Sequence, residues 1–379
     1  MTAVDLAVIG AGLSGCALLA RLKQLGFSGS VALIEAGRGP GGRTATRRSR
    51  RDQGWSLDHG APLINVSAGA DDELAPLLEP LVRQGQLEPE TRILKGLDGR
   101  GEWVNPPQHP LLAGWLLRGV PEMAAVSAGL LALGPEDLQC HFGLRLRWIE
   151  RRDGLWLLAD SERSQVIAAR RLVMSGNLLA HPRSLSMLAW PDVPLRSAVA
   201  VGEDDQLDQA LASIAAIEAT VRWNLMLSLP APPLADWPRM LWCLPEAQER
   251  WGLERLVFQP QASGRLGVVL HGFDADEPIT PESQPRLLQQ QEERQRAAWG
   301  ELTAGWPGGS GWANQAESLG VMRWGASLPI KGSLPTRLQW CAASGVGFCG
   351  DWIDGPGYGR CEGALHSVLH LAEQLMGSN

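Results

Sequence analysis

A glycine-rich turn between a short apolar run and a helical pattern is the feature that most constrains the fold of this chain. Residues 6–9 (LAVI) are apolar without alternation, as in a strand that is buried on both faces. The sequence GAGLSG follows directly at 10–15, and residues 13–25 have the pattern of a helix that ends near Gly26. Val31–Glu35 predicts a second strand that ends in an acidic residue. The spacing therefore predicts a β-α-β unit with a GxGxxG turn, which is typical of dinucleotide-binding domains.

Each position of this turn has a physical role in binding a dinucleotide. Gly10 permits the tight turn, Gly12 lets the backbone approach a pyrophosphate, and Gly15 lets helix and strand pack closely. The helix N-terminus presents free N–H groups to the phosphates. Glu35 lies 20 residues after the last glycine and can accept hydrogen bonds from ribose hydroxyls. The residues predicted to contact the dinucleotide here are Gly10, Gly12, Leu13, Ser14, Gly15, Glu35 and Ala36.

Composition and charge exclude several other classes of protein. The chain has 379 residues, of which 45% are hydrophobic and 20% charged. This composition is typical of globular proteins that need neither disulfides nor metals to fold. At about 150 residues per domain, the length predicts two or three domains. The net charge of −7 disfavours nonspecific nucleic-acid binding, which needs a basic surface.

Cysteine spacing and hydropathy bear on metals and location. The six cysteines form no CxxC pair, so the sequence indicates no zinc site, and we expect free thiols in a reducing compartment. Residues 1–20 are apolar enough to resemble a signal peptide, but no Lys or Arg precedes the run and Asp5 interrupts it. No uncharged stretch of about 18 residues occurs elsewhere. We therefore expect a cytoplasmic protein without a membrane span.

A second glycine-rich segment follows the second predicted strand. Gly41 and Gly42 let the chain run close to a bound ligand, and Arg43 provides a charged donor for a pyrophosphate oxygen. The segment LDHGA supplies another turn with small residues, in which His59 is expected to brace the backbone. The residues predicted to contact the dinucleotide here are Gly41, Gly42, Arg43, His59, Gly60 and Ala61.

Together these motifs resemble the start of FAD-dependent amine-oxidase-type flavoproteins, and the renalase-like branch in particular. The resemblance rests on RGPGGRTATRR at 38–48 and LDHGA at 57–61. It extends to MRWGASLP at 322–329, FCGDW at 348–352 and RCEGA at 360–364. The two ends of the chain match well, and the middle matches only loosely. The resemblance implies FAD as cofactor and an oxidoreductase activity.

The C-terminal segments also suit a flavin on physical grounds. Residues 345–349 predict a short strand, and Asp351 after its end can accept a hydrogen bond from a ribityl hydroxyl. A helix predicted from about 362 to 376 directs its positive N-terminal end at the flavin pyrimidine edge, where negative charge develops on reduction. The residues assigned to the cofactor here are Gly350, Asp351, Arg360, Glu362, Gly363 and Ala364.

The predicted fold class is α/β. We expect two domains: a Rossmann-like FAD-binding domain that includes a β-meander, and a substrate domain that contains a mostly antiparallel sheet. The alternating run at 144–148 begins the meander, and a strand at 171–175 rejoins the nucleotide-binding sheet. Residues 71–139 are expected to be mainly helical. We assign residues 1–70, 140–180 and 320–379 to the FAD-binding domain, and residues 71–139 and 181–319 to the substrate domain.

Flavin chemistry requires few protein groups, and no Ser-His-Asp arrangement, HExxH motif or P-loop is evident. His271 corresponds in position to a histidine of many renalase-like sequences and can orient an amide or carry a proton, or be a buried residue at a strand end. Arg323 can hold an anionic substrate or a buried carboxylate, and Trp324 can line the pocket or belong to the core. Lys331 invites comparison with the flavin-facing lysine of many amine oxidases but lies in no matching motif. The catalytic candidates are His271, Arg323 and Trp324.

We therefore expect an FAD-dependent oxidoreductase that takes a hydride from a small organic substrate to flavin N5, with reoxidation by oxygen or another acceptor. Resemblance to renalase implies a reduced nicotinamide dinucleotide or its isomer as substrate, and an amine or a pigment precursor is the alternative. Pro62, Leu63 and Ile64 replace the Gln and aromatic residues usual in the family. This departure keeps open a non-catalytic flavin-binding sensor or partner protein. A nicotinamide dehydrogenase without flavin is a third possibility.

Overall fold

The computed structural model describes residues 2–48, 55–230, 237–274 and 277–377. The largest sheet contains the predicted β-α-β unit at its centre. Its strands are β1 Val4–Ile9, β2 Val31–Glu35, β10 Gln139–Phe142, β11 Trp148–Arg152, β12 Leu155–Ala159, β13 Ile167–Met174, β19 Trp340–Cys341 and β20 Val346–Phe348. We call it the nucleotide sheet.

A second sheet is mostly antiparallel, and we call it the covering sheet. Its strands run in the order β18, β14, β17, β16, β15, β7, β8. They are β7 Leu94–Leu97, β8 Trp103–Val104, β14 Glu218–Leu229, β15 Met240–Cys243, β16 Leu253–Pro260, β17 Leu266–Gly272 and β18 Glu317–Lys331. Two small sheets are formed by β3 Thr46–Arg48 with β4 Ser56–Asp58, and by β5 Ile64–Val66, β6 Leu87–Pro89 and β9 Trp115–Gly119.

Helices flank the nucleotide sheet and the far side of the covering sheet. They are α1 Leu13–Gln24, α2 Asp71–Arg83, α3 Ala124–Ala132, α4 Leu185–Leu188, α5 Pro194–Ala198, α6 Asp205–Ala215, α7 Pro245–Trp251, α8 Gln284–Thr303, α9 Gly309–Ala313 and α10 Cys361–Gly377. None of the helices within the described ranges combines the length and the apolar composition needed to cross a membrane.

The parallel register of the nucleotide sheet brings distant parts of the chain to one edge. Strand β1 lies between β2 and β13, with Leu6 opposite both Val31 and Arg171. Strand β20 pairs in parallel with the last residues of β13, so that Met174 lies opposite Phe348. The carboxyl ends of these strands therefore meet at the same edge. In open α/β sheets, this is the edge at which ligands bind.

Both faces of the nucleotide sheet are buried, because successive side chains along its central strands point into two different hydrophobic cores. Leu6 and Val8 of β1 belong to the core that α1, α2, α3 and α10 cover. Ala7, one residue on, faces the opposite core, which contains Trp156 and residues of α5 and α6 such as Leu211. A strand covered on both sides has an uninterrupted apolar sequence, as predicted for residues 6–9.

The covering sheet has a tryptophan-rich core on the side that faces away from the nucleotide sheet. Five of the chain's 16 tryptophans are buried there and Trp103 packs against them. Among the five, Trp237 stacks on Trp312 at a centroid separation of 5.4 Å. Leu225, Leu227 and Leu270 provide aliphatic neighbours. Alternate residues of the same strands face the other way and are available to form the wall of a site.

The predicted division of the chain differs from the observed packing in three places. Helices α2 and α3 in 71–139 pack on α1, and the segment 87–119 contains the four strands β6, β7, β8 and β9 and no α-helix. Helices α5 and α6 in 181–319 cover the nucleotide sheet. At the start of 320–379, β18 lies in the covering sheet. Hydrophobic periodicity indicates the type of an element but does not specify the sheet on which it packs.

The meander contains a further difference. The strand predicted at 144–148 begins only at Trp148 and continues to Arg152. Leu146 is buried beside the nucleotide sheet without being part of a strand. The alternating sequence therefore indicated burial correctly but placed the strand four residues early.

Candidate functional site

The turn after β1 has the backbone shape that its glycines predict. Gly10 has a φ of 101°, in the left-handed region that favours glycine. A Cβ atom on Gly15 would lie 2.0 Å from the Gly10 carbonyl oxygen, because α1 approaches the turn closely. A Cβ atom on Gly12 would have the Cα of Gly42 as its nearest contact, at 3.8 Å. Gly12 therefore borders open space.

Helix α1 begins at this open space without a side-chain cap. Gly12 is its N-cap, and no side chain in the described part of the chain accepts a capping hydrogen bond there. Leu13 and Ser14 line a cavity of about 570 Å³. Uncapped N–H groups and the positive end of the helix dipole together attract anions. The cavity is thus lined at this point by donors suited to a pyrophosphate.

The second glycine-rich segment packs directly against the first. The Gly41 N–H donates to the Ala11 carbonyl oxygen at 2.8 Å. The Ala61 N–H donates to the Arg43 carbonyl oxygen at 2.7 Å, and a Cβ atom on Gly60 would lie 2.0 Å from that same oxygen. Close backbone contacts of this kind require the small residues found at these positions. They hold Gly41, Arg43, Gly60 and Ala61 on the cavity wall.

A two-point salt bridge joins this segment to the C-terminal junction. Arg43 donates through Nη1 and Nη2 to the two carboxylate oxygens of Asp351, each at 2.5 Å. Nη1 also donates to the Ser327 carbonyl oxygen at 3.0 Å. The Gly359 N–H donates to the Asp351 carbonyl oxygen at 2.8 Å. Arg43 and Asp351 both line the cavity, so the two ends of the chain share one site.

The start of α10 contains both lining and supporting residues. Arg360 and Ala364 line the cavity. The Glu362 carboxylate is fully buried, accepts a hydrogen bond from the Ser67 N–H at 3.1 Å and forms a salt bridge with Arg360 at 2.5 Å. A Cβ atom on Gly363 would lie 2.4 Å from the Gly357 carbonyl oxygen. Glu362 and Gly363 therefore shape the loop before α10 and lie behind the cavity wall, as Gly15 does at α1.

Glu35 lies at the end of β2 and lines the cavity beside Ala36. Its carboxylate already accepts hydrogen bonds from the backbone, at 2.8 Å from Ala11 and 2.6 Å from Gly37. Each carboxylate oxygen can accept more than one hydrogen bond. The two backbone contacts orient the Glu35 carboxylate, and lone pairs remain for a ribose hydroxyl.

The covering sheet forms the opposite wall around the LDHGA turn. The His59 carbonyl oxygen accepts hydrogen bonds from Asn224 Nδ2 at 2.8 Å and Trp324 Nε1 at 3.0 Å. The His59 ring stacks on Trp324 with centroids 5.4 Å apart. Burial and the nearby Arg47 lower the pKa of His59 to about 4. The His59 ring is therefore neutral at pH 7.

Successive side chains of β18 and β14 point to opposite faces of the covering sheet, and this determines which catalytic candidates reach the cavity. Trp324 lies opposite Arg222, and both line the cavity. Arg323 lies on the other face, with its guanidinium 5.4 Å from the ring centroid of Trp223. The expectation that Arg323 contacts a substrate is thus not met by the structure. Successive residues of a strand point to opposite faces, so only one of the pair can face the cavity.

His271 and Lys331 are also outside the cavity lining. His271 is buried in β17 between Asn224 and Arg255 of the neighbouring strands. Burial first, and then the two nearby arginines, lower the pKa of His271 well below its ordinary value. It packs behind the cavity wall as a neutral side chain. Lys331 is exposed and pairs with Glu218 at 2.6 Å.

The cavity is strongly basic, although the chain as a whole is acidic. Seven arginines line it, against three carboxylates. Sequence reasoning identified Arg43 and Arg360 among these, and missed several charged residues of the strands and loops. The missed charged residues are Arg145, Arg147, Arg183, Arg222, Glu254 and Arg255. A usable signal exists for part of this set, because charged side chains inside otherwise apolar strands such as LERLVF are unusual.

These residues fit a bound dinucleotide. The open space beside Gly12, the uncapped start of α1 and the excess of arginines suit a pyrophosphate, and Glu35 suits a ribose. The part of the chain that the structure describes contains no group of three or more His, Cys, Asp or Glu side chains that could hold a metal ion.

Replacing Gly12 by alanine tests the position of the phosphates. Gly12 has φ −73° and ψ −177°, which alanine adopts readily, so Gly12→Ala should fold with an unchanged thermal midpoint. The added methyl group would occupy the space next to the helix N-terminus, and dinucleotide affinity should fall about tenfold or more. Calorimetric titration with FAD measures the affinity. Gly15→Ala is the matched control, because its methyl group would collide with Gly10 and lower the thermal midpoint. Unchanged FAD affinity in Gly12→Ala would contradict this placement.

The depressed pKa of His59 predicts a pH-dependent stability. Between pH 6.5 and about 4 the unfolded imidazole binds a proton that the folded one does not, so the free energy of unfolding should fall as the pH falls through this window. The His59→Gln variant should lack this contribution. Its free energy of unfolding should therefore change less steeply with pH, with a slope smaller by the equivalent of up to one bound proton. Denaturant unfolding at several pH values measures both proteins, and other buried histidines contribute equally to each. Equal slopes would show that folding does not lower the pKa of His59 and would contradict this assignment.

Comparison with known proteins supports the fold. Residues 8–80 match the family of NAD(P)-binding Rossmann-like domains. The whole chain superimposes on a protein of Exiguobacterium sp. 255-15 provisionally assigned as a protoporphyrinogen oxidase (TM-score 0.63, 12% identity, 100% of each chain). It also superimposes on putrescine oxidase bound to putrescine (0.64, 14%, 99% of each chain) and on cyclohexylamine oxidase from Brevibacterium oxydans IH-35A (0.62, 14%, 99% and 100%). No curated protein sequence matches the chain. The predicted α/β fold with a Rossmann-like domain and an antiparallel second sheet is confirmed.

Proposed function

We propose that this protein is an FAD-dependent oxidoreductase that takes a hydride from a small organic substrate. The observation that carries the proposal is a single cavity lined by both glycine-rich strand–helix junctions and closed by the covering sheet. One junction accounts for a dinucleotide of any kind. The second, with Asp351 and the start of α10, favours a longer cofactor that carries a redox ring. The overall fold, shared with the oxidase structures above, agrees with this proposal.

The residues of the nucleotide sheet would hold the cofactor. The N–H groups at Leu13 and Ser14 would bind the pyrophosphate, and Glu35 would bind the adenosine ribose. Asp351, which holds Arg43 through two hydrogen bonds, would accept from a ribityl hydroxyl. The N-terminal end of α10 would stabilise negative charge on the pyrimidine edge.

When bound, the flavin supplies the electron chemistry by accepting a hydride at N5, and the protein orients the substrate and excludes water. Trp242, which is buried, and Trp324, which is half-buried, belong to the covering sheet and provide apolar surface at the cavity wall for this purpose. The neutral His59 ring behind Trp324 adds no charge to this wall. The described residues that line the cavity include no histidine, so we assign no proton transfer to an imidazole.

The renalase-like resemblance suggests a reduced nicotinamide dinucleotide or its isomer as the hydride donor. The unusual residues Pro62 and Leu63 line the cavity, and the Pro62 carbonyl oxygen accepts a hydrogen bond from the buried Arg239 at 2.8 Å. These residues form part of an ordered wall. The departure from the family pattern is therefore better explained by a changed substrate than by a lost site.

The absorbance spectrum of the purified protein tests this proposal. We expect a yellow protein that releases FAD on acid treatment and is bleached anaerobically by a reduced nicotinamide dinucleotide or another small hydride donor. A colourless protein that binds only a nicotinamide cofactor would contradict the flavin assignment. A yellow protein that no dinucleotide, amine or dithiol reduces would contradict catalysis and favour a flavin-binding sensor.

A pair of C-terminal variants tests the role of the second junction. Asp351→Asn keeps the size of the side chain but weakens its hold on Arg43, so FAD affinity should fall about tenfold. Asp354→Asn alters an exposed carboxylate three residues away and should retain FAD as the unmodified protein does. The ratio of FAD to protein after gel filtration gives the result. Equal retention by both variants would show that the C-terminal junction does not contact the cofactor.

A further inference from the structure

Two buried arginines share one glutamate on the cavity wall of the covering sheet. Arg222 of β14 donates through Nη2 to Glu254 Oε1, and Arg255 of β16 donates through Nη1 to Glu254 Oε2, each at 2.6 Å. Arg222 and Glu254 are 8% exposed and Arg255 is 9% exposed. All three line the cavity. The cluster carries one uncompensated positive charge.

The glutamate is ionised and the cluster is held rigidly. Burial alone would raise the pKa of Glu254, but the two arginines outweigh this effect and hold the pKa below its ordinary value. The Arg222 guanidinium lies 4.7 Å from the ring centroid of Phe273, and that of Arg255 lies 5.6 Å from Trp242. Stacking on these rings fixes the planes of both guanidiniums.

The hydrogen-bonding capacity of the two arginines is not used up by the protein. The Nε atoms of Arg222 and Arg255 are buried and have no hydrogen-bond partner among the residues that the structure describes. An unpaired buried charge is strongly unfavourable, whereas an arrangement that binds an anion gains from it. His271 beside them is neutral and offers no negative charge. The net positive charge of the cluster at the cavity wall therefore favours an anion from outside the chain.

We propose that this cluster binds a carboxylate of the substrate, so that a carboxylate-bearing hydride donor is favoured over a reduced nicotinamide dinucleotide, which has no carboxylate, and over aliphatic amines. The inference rests on the proposed oxidoreductase function, since it names the class of molecule that occupies the substrate side of the cavity. A guanidinium fork matches the two oxygens of a carboxylate. An ammonium group placed there would meet an uncompensated positive charge.

The chemistry of the wall favours a carboxylate over a phosphate. The cluster has a single excess charge, which a monoanion neutralises, whereas a phosphate dianion would leave a buried negative charge. The neighbouring lining residues Met240, Trp242 and Leu111 are apolar and suit the hydrocarbon or aromatic body of such a substrate. Phosphate groups are better accommodated at the uncapped start of α1.

Benzoate is a suitable probe, with benzamide, benzylamine and inorganic phosphate as comparisons. The protein is saturated with FAD so that the phosphate-binding region is filled, and binding is followed by calorimetry and by tryptophan fluorescence, to which Trp242 next to Arg255 contributes. We expect benzoate to bind about tenfold or more tighter than benzamide, as for a charge-assisted contact. Benzylamine should bind more weakly still. Equal binding of benzamide or benzylamine, or tighter binding of phosphate, would overturn the proposal.

Two variants with opposite expected effects on benzoate affinity distinguish direct benzoate binding from a loss of protein stability. Arg255→Gln should weaken benzoate about tenfold or more, whereas Glu254→Gln frees both guanidiniums from their carboxylate partner and should tighten it. A gain in affinity cannot result from partial unfolding. Arg323→Gln is the matched control, because it removes an arginine from the opposite face of the same sheet. Equal weakening by Arg323→Gln and Arg255→Gln, or no tightening in Glu254→Gln, would contradict a direct contact.

The benzoate experiments can fail or succeed independently of the flavin-reduction experiment that tests the proposed function. Benzoate binding requires no electron transfer, so a preparation that is never reduced by any donor can still show charge-dependent binding at Arg255. Failure of bleaching together with this binding would refute catalysis alone. Bleaching by a hydride donor whose affinity is unchanged in Arg255→Gln would refute the arginine site alone.

Discussion

The salt bridge between Arg43 and Asp351 is the interaction on which the site depends. It joins residues 308 positions apart in the sequence, and it does so at the edge where β1 and β20 both end. Each residue follows a glycine whose φ lies outside the usual region for other side chains, +55° at Gly42 and +146° at Gly350. Backbone turns at both ends of the chain are thereby fixed relative to one another. Both turns border the cavity, and the covering sheet forms its opposite wall.

Positive charge lies on two opposite walls of the cavity. Arg43 and the uncapped start of α1 lie on the side of the nucleotide sheet, whereas Arg222 and Arg255 lie on the covering sheet. Only the latter two are shielded by a shared carboxylate and stacked on aromatic rings. If FAD and a carboxylate-bearing substrate bind as proposed, the pyrophosphate and the carboxylate contact different arginines on opposite walls of the same cavity.

The features that could be predicted from the sequence are those formed by residues close together in the chain. The turn at 10–15, the strand ending at Glu35 and the short strand before Asp351 follow from glycines and apolar runs that lie next to one another. Arg222 and Arg255 were not predicted, because they come from separate strands and form no motif. Their proximity depends on the register of β14 and β16 against β17, which the sequence alone does not reveal. The same reason explains why Trp324 and Arg323 could not be told apart before the strand faces were known.

The most direct test of the central claim, that both ends of the chain bind one FAD molecule, is amide hydrogen exchange with and without added FAD. Bound ligand slows exchange where it stabilises the backbone. If both ends bind FAD, exchange should slow in peptides covering residues 10–15 and 41–43 and, in the same complex, in peptides covering 350–364. Protection restricted to the N-terminal peptides would mean that the C-terminal junction takes no part in binding, which is the opposite of the proposed arrangement.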